Sequence, residues 1–77
     1  MKHYTGLSQA ESYAENSSKK HNATRYVTKS MILNVGVVYY VYEKQEDIDN
    51  WEKIISVFKN GERQWHSRFY RYWFPLL

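Results

Sequence analysis

The side chains that could bind a metal ion or move a proton are spread along the whole chain. His3, His21 and His66 lie far apart, and none stands at ligand spacing from another histidine or an acid on one face. A calcium loop beginning at Asp47 would need glycine at its sixth position, where the chain has Glu52. The sequence therefore predicts no metal site.

Nucleophilic and cofactor chemistry has equally little support. The chain has no cysteine, which removes thiolate nucleophiles, disulfides and cysteine-based zinc sites together. Gly6, Gly36 and Gly61 are isolated, so no glycine-rich loop is available to cradle a phosphate. The serines have no histidine placed locally as a base. We expect a protein that is not an enzyme and binds no cofactor.

The strongest functional signal is residues 63–77, where six of fifteen residues are aromatic and three are arginine. As a strand, this segment divides into a Trp65/Phe69/Trp73 face and an Arg68/Tyr70/Tyr72 face. Two tyrosines of an earlier apolar segment could extend the same surface. The predicted contact set is Tyr40, Tyr42, Trp65, Arg68, Phe69, Tyr70, Arg71, Tyr72 and Trp73.

Three kinds of partner are compatible with these residues. Trp, Tyr and Arg dominate protein-binding hot spots, because they bury a large area at modest entropic cost. Single-stranded nucleic acid would stack its bases on the tyrosines and tryptophans while arginine or lysine holds the phosphates. A membrane-surface helix would require strong helix formers, which the segment lacks. We favour a protein partner or self-association, with nucleic acid as the alternative.

The elements that position these residues begin with a predicted helix at about residues 8–21. Ser8 and Glu11 have the spacing of a capping box, and small residues recur at helical spacing after them. The last turn would hold Lys19, Lys20 and His21, and Asn22 can adopt the left-handed stop. The apolar stripe is narrow, so this helix can cover one face of a sheet but cannot form a core alone.

Two strands should follow the helix, at residues 24–33 and 35–43, with a turn from Asn34 to Gly36. In the second strand, alternate positions are apolar or aromatic on both faces. Such a strand is typical of a sheet that is covered on both sides. One narrow helix cannot cover two faces, so we expect the second face to meet something else.

Residues 48–60 are ambiguous between helix and strand. Asp49 and Glu52 could cap a helix that ends at Gly61. Alternatively, the β-forming residues before Asn60-Gly61 could form a hairpin with the strand that follows. We favour the hairpin, which would place Lys59 opposite Glu62 and Ser56 opposite Trp65.

The sequence thus predicts one α+β domain over residues 1–77, with residues 1–7 and 75–77 as flexible ends. Its N-terminal helix packs on an antiparallel sheet of three to four strands, an α-β-β-β-β meander, or α-β-β-α-β in the alternative. The N-terminus lacks the apolar run of a signal peptide, and no stretch reaches the roughly 18 apolar residues of a membrane span. We therefore expect a cytoplasmic protein.

Charge is unevenly distributed along the chain, whose net charge is +3. Residues 43–52 carry five acids and one lysine between two basic regions. This acidic segment would repel the phosphates of a nucleic acid wherever it lies. The aromatic and arginine-rich surface predicts a small binding module. Small cysteine-free binders of this kind are common among phage and mobile-element proteins, including inhibitors of host machinery.

Overall fold

The computed structural model describes residues 3–66 and has one helix packed on a five-stranded antiparallel sheet. The elements are, in chain order, β1 (His3–Tyr4), α1 (Leu7–His21), β2 (Thr24–Ile32), β3 (Gly36–Tyr42), a one-turn 3-10 helix (Gln45–Asp47), β4 (Lys53–Lys59) and β5 (Glu62–His66). The predicted α+β class with an N-terminal helix is confirmed, although the sheet has five strands rather than three or four. Within the described residues, no helix has the length and apolarity needed to cross a membrane.

The strands lie in the order β1-β3-β2-β4-β5, so the connectivity differs from a simple meander. β2 and β3 form a hairpin, but β4 pairs with the other edge of β2 rather than with β3. The outer edge of β3 is occupied by β1, in which His3 lies opposite Tyr40. Residues 43–52, hereafter the crossing segment, therefore pass over β2. β1 lies within the stretch 1–7 that was expected to be a flexible end.

Helix α1 starts earlier than its sequence indicated. Its N-cap is Gly6, and no side chain caps it, so the predicted Ser8–Glu11 capping box does not form. Glu11 instead accepts hydrogen bonds from Ser56 and Arg63 of the sheet, which takes its carboxylate away from the helix start. The predicted end is confirmed, because Asn22 has φ of 49° and closes the helix in the left-handed conformation.

The main core lies between α1 and one face of the sheet. It comprises Ala10, Ala14, Val27, Ile55 and Phe58. The two alanines are one helical turn apart and fully buried, so the helix can lie close to the strands. A bulge in β4 opposite Val27 and Thr28 turns Ile55 as well as Ser56 toward the helix.

Residues 53–66 form the predicted hairpin and not the alternative helix. Asn60 and Gly61 both have positive φ, as a two-residue type I′ turn requires, and Lys59 lies opposite Glu62 as expected. The expected pairing of Ser56 with Trp65 is wrong. A second bulge shifts the register of β5, so that Trp65 lies opposite Val57 and Ser56 lies opposite His66.

Candidate binding surface

The predicted contact residues fall into two groups in the structure. Tyr40 and Tyr42 lie on β3, on the face of the sheet that α1 does not cover. The backbone of Trp65 lies in β5 beside Val57. The other six predicted contact residues, Arg68, Phe69, Tyr70, Arg71, Tyr72 and Trp73, lie outside the described residues.

The helix-free face carries a row of aromatic rings, which we call the tyrosine face and define as His3, Tyr26, Tyr40 and Tyr42. Strand pairing sets the row, since Tyr26 lies opposite Tyr42 and His3 lies opposite Tyr40. The ring centroids of Tyr40 and Tyr42 are 6.2 Å apart, and those of Tyr40 and His3 are 6.3 Å apart. These distances are those of favourable tilted aromatic pairs.

A buried carboxylate fixes the position of Tyr42 within this row. Glu52 is 8% exposed and accepts hydrogen bonds from the hydroxyls of Thr28, at 2.7 Å, and Tyr42. The backbone N–H of Asp49 donates to the same carboxylate at 3.3 Å. These bonds hold the end of the crossing segment against the helix-free face. The segment therefore covers part of the second face of the sheet, which the sequence analysis expected to meet something other than the helix.

The environment of Tyr42 keeps its phenol protonated. Burial raises the pKa of Tyr42 well above its ordinary value, and the hydrogen bond to Glu52 and the negative charge of that carboxylate raise it further. Tyr42 is 5% exposed and its hydroxyl is already bonded. Its role in the structure is therefore to position the row, and the half-buried Tyr26 and Tyr40 are the tyrosines that remain accessible.

The charged side chains nearest the tyrosine face belong to the crossing segment. Arg25, at the start of β2, points to the helix side, where its Nε–H donates a hydrogen bond to Ser17 of α1 and its guanidinium lies 3.6 Å from Glu43 of the crossing segment. The remaining acids of the crossing segment, apart from Glu52, are exposed. No group of three or more potential metal ligands occurs among residues 3–66.

A second surface was not foreseen from the sequence. Four of the five exposed large apolar side chains in the described part of the chain lie at one end of the sheet: Met31 (71% exposed), Leu33 (87%), Val35 (64%) and Trp51 (64%). We call these four residues, with Lys29 and Lys53, the hairpin end. The sequence contained one signal of this surface. Leu33 and Val35 flank Asn34 in the predicted turn, and the residues of a surface turn are ordinarily polar.

Comparison of the chain with protein-family models, with curated proteins and with solved structures finds no match. Residues 3–66 form an α+β domain, with one α-helix on a five-stranded sheet, that has two distinct candidate contact regions.

Proposed function

We propose that the protein is a small non-enzymatic binding module whose tyrosine face contacts another protein, either a different chain or a second copy. The observation that carries this proposal is the row of aromatic rings on the face without a helix, with Tyr42 fixed by a buried carboxylate. Tyrosine provides large contact area with few rotatable bonds, so a pre-positioned row loses little entropy on binding.

The charges support a protein partner over nucleic acid. A strand stacked on Tyr40 and Tyr26 would bring its phosphates close to the exposed acids of the crossing segment, which Glu52 holds against the same face. A protein partner can place polar or basic side chains opposite these acids and still use the rings. Stacking by single-stranded nucleic acid remains the alternative, and the same experiment separates the two.

Hydroxyl-radical footprinting of the full chain, alone and in extract of the cells that naturally produce it, tests the proposal. Tyr26 and Tyr40 should lose reactivity in the extract, because the partner covers them. Tyr13 is the matched control, since it is an exposed tyrosine on the opposite side of the sheet, on α1.

Enzymatic treatment of the extract identifies the class of partner. Protease treatment should restore the reactivity of Tyr26 and Tyr40, and nuclease treatment should not. Restoration by nuclease alone would favour the nucleic-acid alternative. Equal reactivity of the two tyrosines with and without extract, in a purified sample that is monomeric by light scattering, would contradict the proposal.

A further inference from the structure

The hairpin end combines apolar and basic side chains in one place. Lys29 of β2 and Lys53 of β4 lie directly opposite each other, and neither forms an ion pair among the described residues. Met31 follows Lys29 by two residues and Trp51 precedes Lys53 by two residues. Because the two strands are antiparallel, Met31 and the turn that holds Trp51 lie beyond the lysine pair at the same end of the sheet.

The tip of this end is apolar on more than one side. By strand alternation Met31 lies on the same side as Val27, which faces α1, whereas Leu33 and Val35 belong to the turn itself. The turn is closed by a hydrogen bond from the N–H of Val35 to the carbonyl of Ile32 at 3.1 Å and by left-handed Asn34. The most exposed apolar side chains are thus carried on a short, hydrogen-bonded projection.

Two like charges opposite each other on neighbouring strands are unfavourable in the free protein. An anionic surface would relieve this repulsion, and among the described residues no acid of the crossing segment lies within ion-pair distance of either lysine. Glu52 turns inward to Thr28 and Tyr42, and Glu43 lies beside Arg25 at the other end of β2. The positive charge of the two lysines at the hairpin end therefore favours an anionic partner.

We propose that the hairpin end docks on the surface of an anionic lipid bilayer. Leu33, Val35 and Met31 enter the boundary between headgroups and acyl chains, Trp51 lies at the interface, and the two lysines contact lipid phosphates or carboxylates. A bilayer is favoured over an acidic protein because lipid surrounds a projecting apolar turn on all sides. This surface is separate from the tyrosine face, so the proposal does not depend on the proposed function.

Flotation of the full chain with vesicles tests this directly. The probes are vesicles of phosphatidylcholine alone and of phosphatidylcholine with phosphatidylserine, each at low and high salt. We expect binding to the anionic vesicles only, weakened by salt. Leu33→Ser should weaken it about tenfold or more, whereas Leu33→Met should retain it.

The lysines have a matched control elsewhere on the chain. Lys29→Gln with Lys53→Gln should weaken binding roughly fivefold for each lysine removed. Lys19→Gln with Lys20→Gln removes the same charge from the end of α1 and should have a much smaller effect. Tyr40→Ser should leave vesicle binding unchanged, which separates this result from any failure of the proposed function.

Three results would overturn the proposal. The first is no binding to anionic vesicles at low salt. The second is equal weakening by the two lysine pairs, which would show non-specific attraction of a basic protein. The third is self-association in the absence of lipid that Leu33→Ser abolishes, which would make a second copy the occupant. Circular dichroism of each variant verifies that the fold is retained.

Discussion

At the scale of single residues, Glu52 has the most demanding position in the described structure. Its carboxylate lies at the end of the acidic crossing segment, yet it is buried and receives hydroxyl groups from two different strands. A buried carboxylate is costly unless its oxygens are hydrogen-bonded. Thr28 and Tyr42 supply those bonds, and in return the carboxylate ties the crossing segment to the sheet.

Substitution of Glu52 tests whether its carboxylate ties the crossing segment to the sheet. Glu52→Ala should lower the free energy of unfolding by about 2–4 kcal/mol, because two buried hydroxyls lose their acceptor. The control is Glu46→Ala, an exposed acid of the same segment, which should change it by less than about 0.5 kcal/mol. Urea unfolding measures both values. Similar values for the two variants would show that the buried carboxylate does not hold the segment.

At the scale of elements, the two hairpins depend on turns that need positive φ. Gly36 follows the β2–β3 turn with φ of 99°, and Gly61 lies in the β4–β5 turn with φ of 82°. The two sites differ in their surroundings. A Cβ at position 36 would meet nothing within 4 Å, whereas a Cβ at position 61 would lie 3.1 Å from the Cβ of Lys19. The second turn is therefore packed against the end of α1.

This difference predicts unequal effects of the same substitution. Gly36→Ala should cost about 1–2 kcal/mol of stability from backbone strain alone. Gly61→Ala should cost at least about 1 kcal/mol more, because the added methyl group also crowds Lys19 near the helix backbone. Thermal or urea unfolding of the two variants makes the comparison. Equal losses would mean that the turn does not pack on the helix as described.

Local patterns predicted the elements well. The alternation of apolar residues in β2 and β3, the Asn60-Gly61 turn and the left-handed Asn22 each depend on neighbours in the chain, and all are present. The helix start was wrong because Glu11 has partners in the sheet, Ser56 and Arg63, that no local pattern could show. The β5 register was wrong because a bulge has no clear signature in a single sequence.

At the scale of the whole molecule, the order of the strands in the sheet could not be predicted from the sequence. The predicted meander and the observed order share β2 to β5, and they differ in the edge that β4 joins. In a meander β4 would pair with β3, whereas in the structure it pairs with β2 and the outer edge of β3 is occupied by the two-residue β1. Because β4 pairs with β2, the crossing segment has to pass from β3 across β2, and this path brings Glu52 against the sheet, where it is buried. Of the surfaces, the tyrosines of β3 were predicted as contact residues. The hairpin end was missed, because the exposure of Met31 and Trp51 follows from tertiary arrangement.

The two candidate surfaces lie toward opposite ends of the β2–β3 hairpin. Tyr26 and Tyr42 are near the start of β2 and the end of β3, and Leu33 and Val35 are in the turn that joins these strands. A domain with this layout could hold a protein at one end while the other end rests on a membrane. The contact of the tyrosine face with a protein is the central claim of this account.

Site-specific photo-crosslinking tests that claim most directly. A photoreactive phenylalanine derivative replaces Tyr40 in the full chain, and in a matched control it replaces Tyr13, and both are irradiated in the cells that naturally produce the protein. We predict a discrete protein adduct from position 40 that Tyr26→Ser abolishes, and no such adduct from position 13. The same adducts from both positions, or none from position 40, would contradict the account.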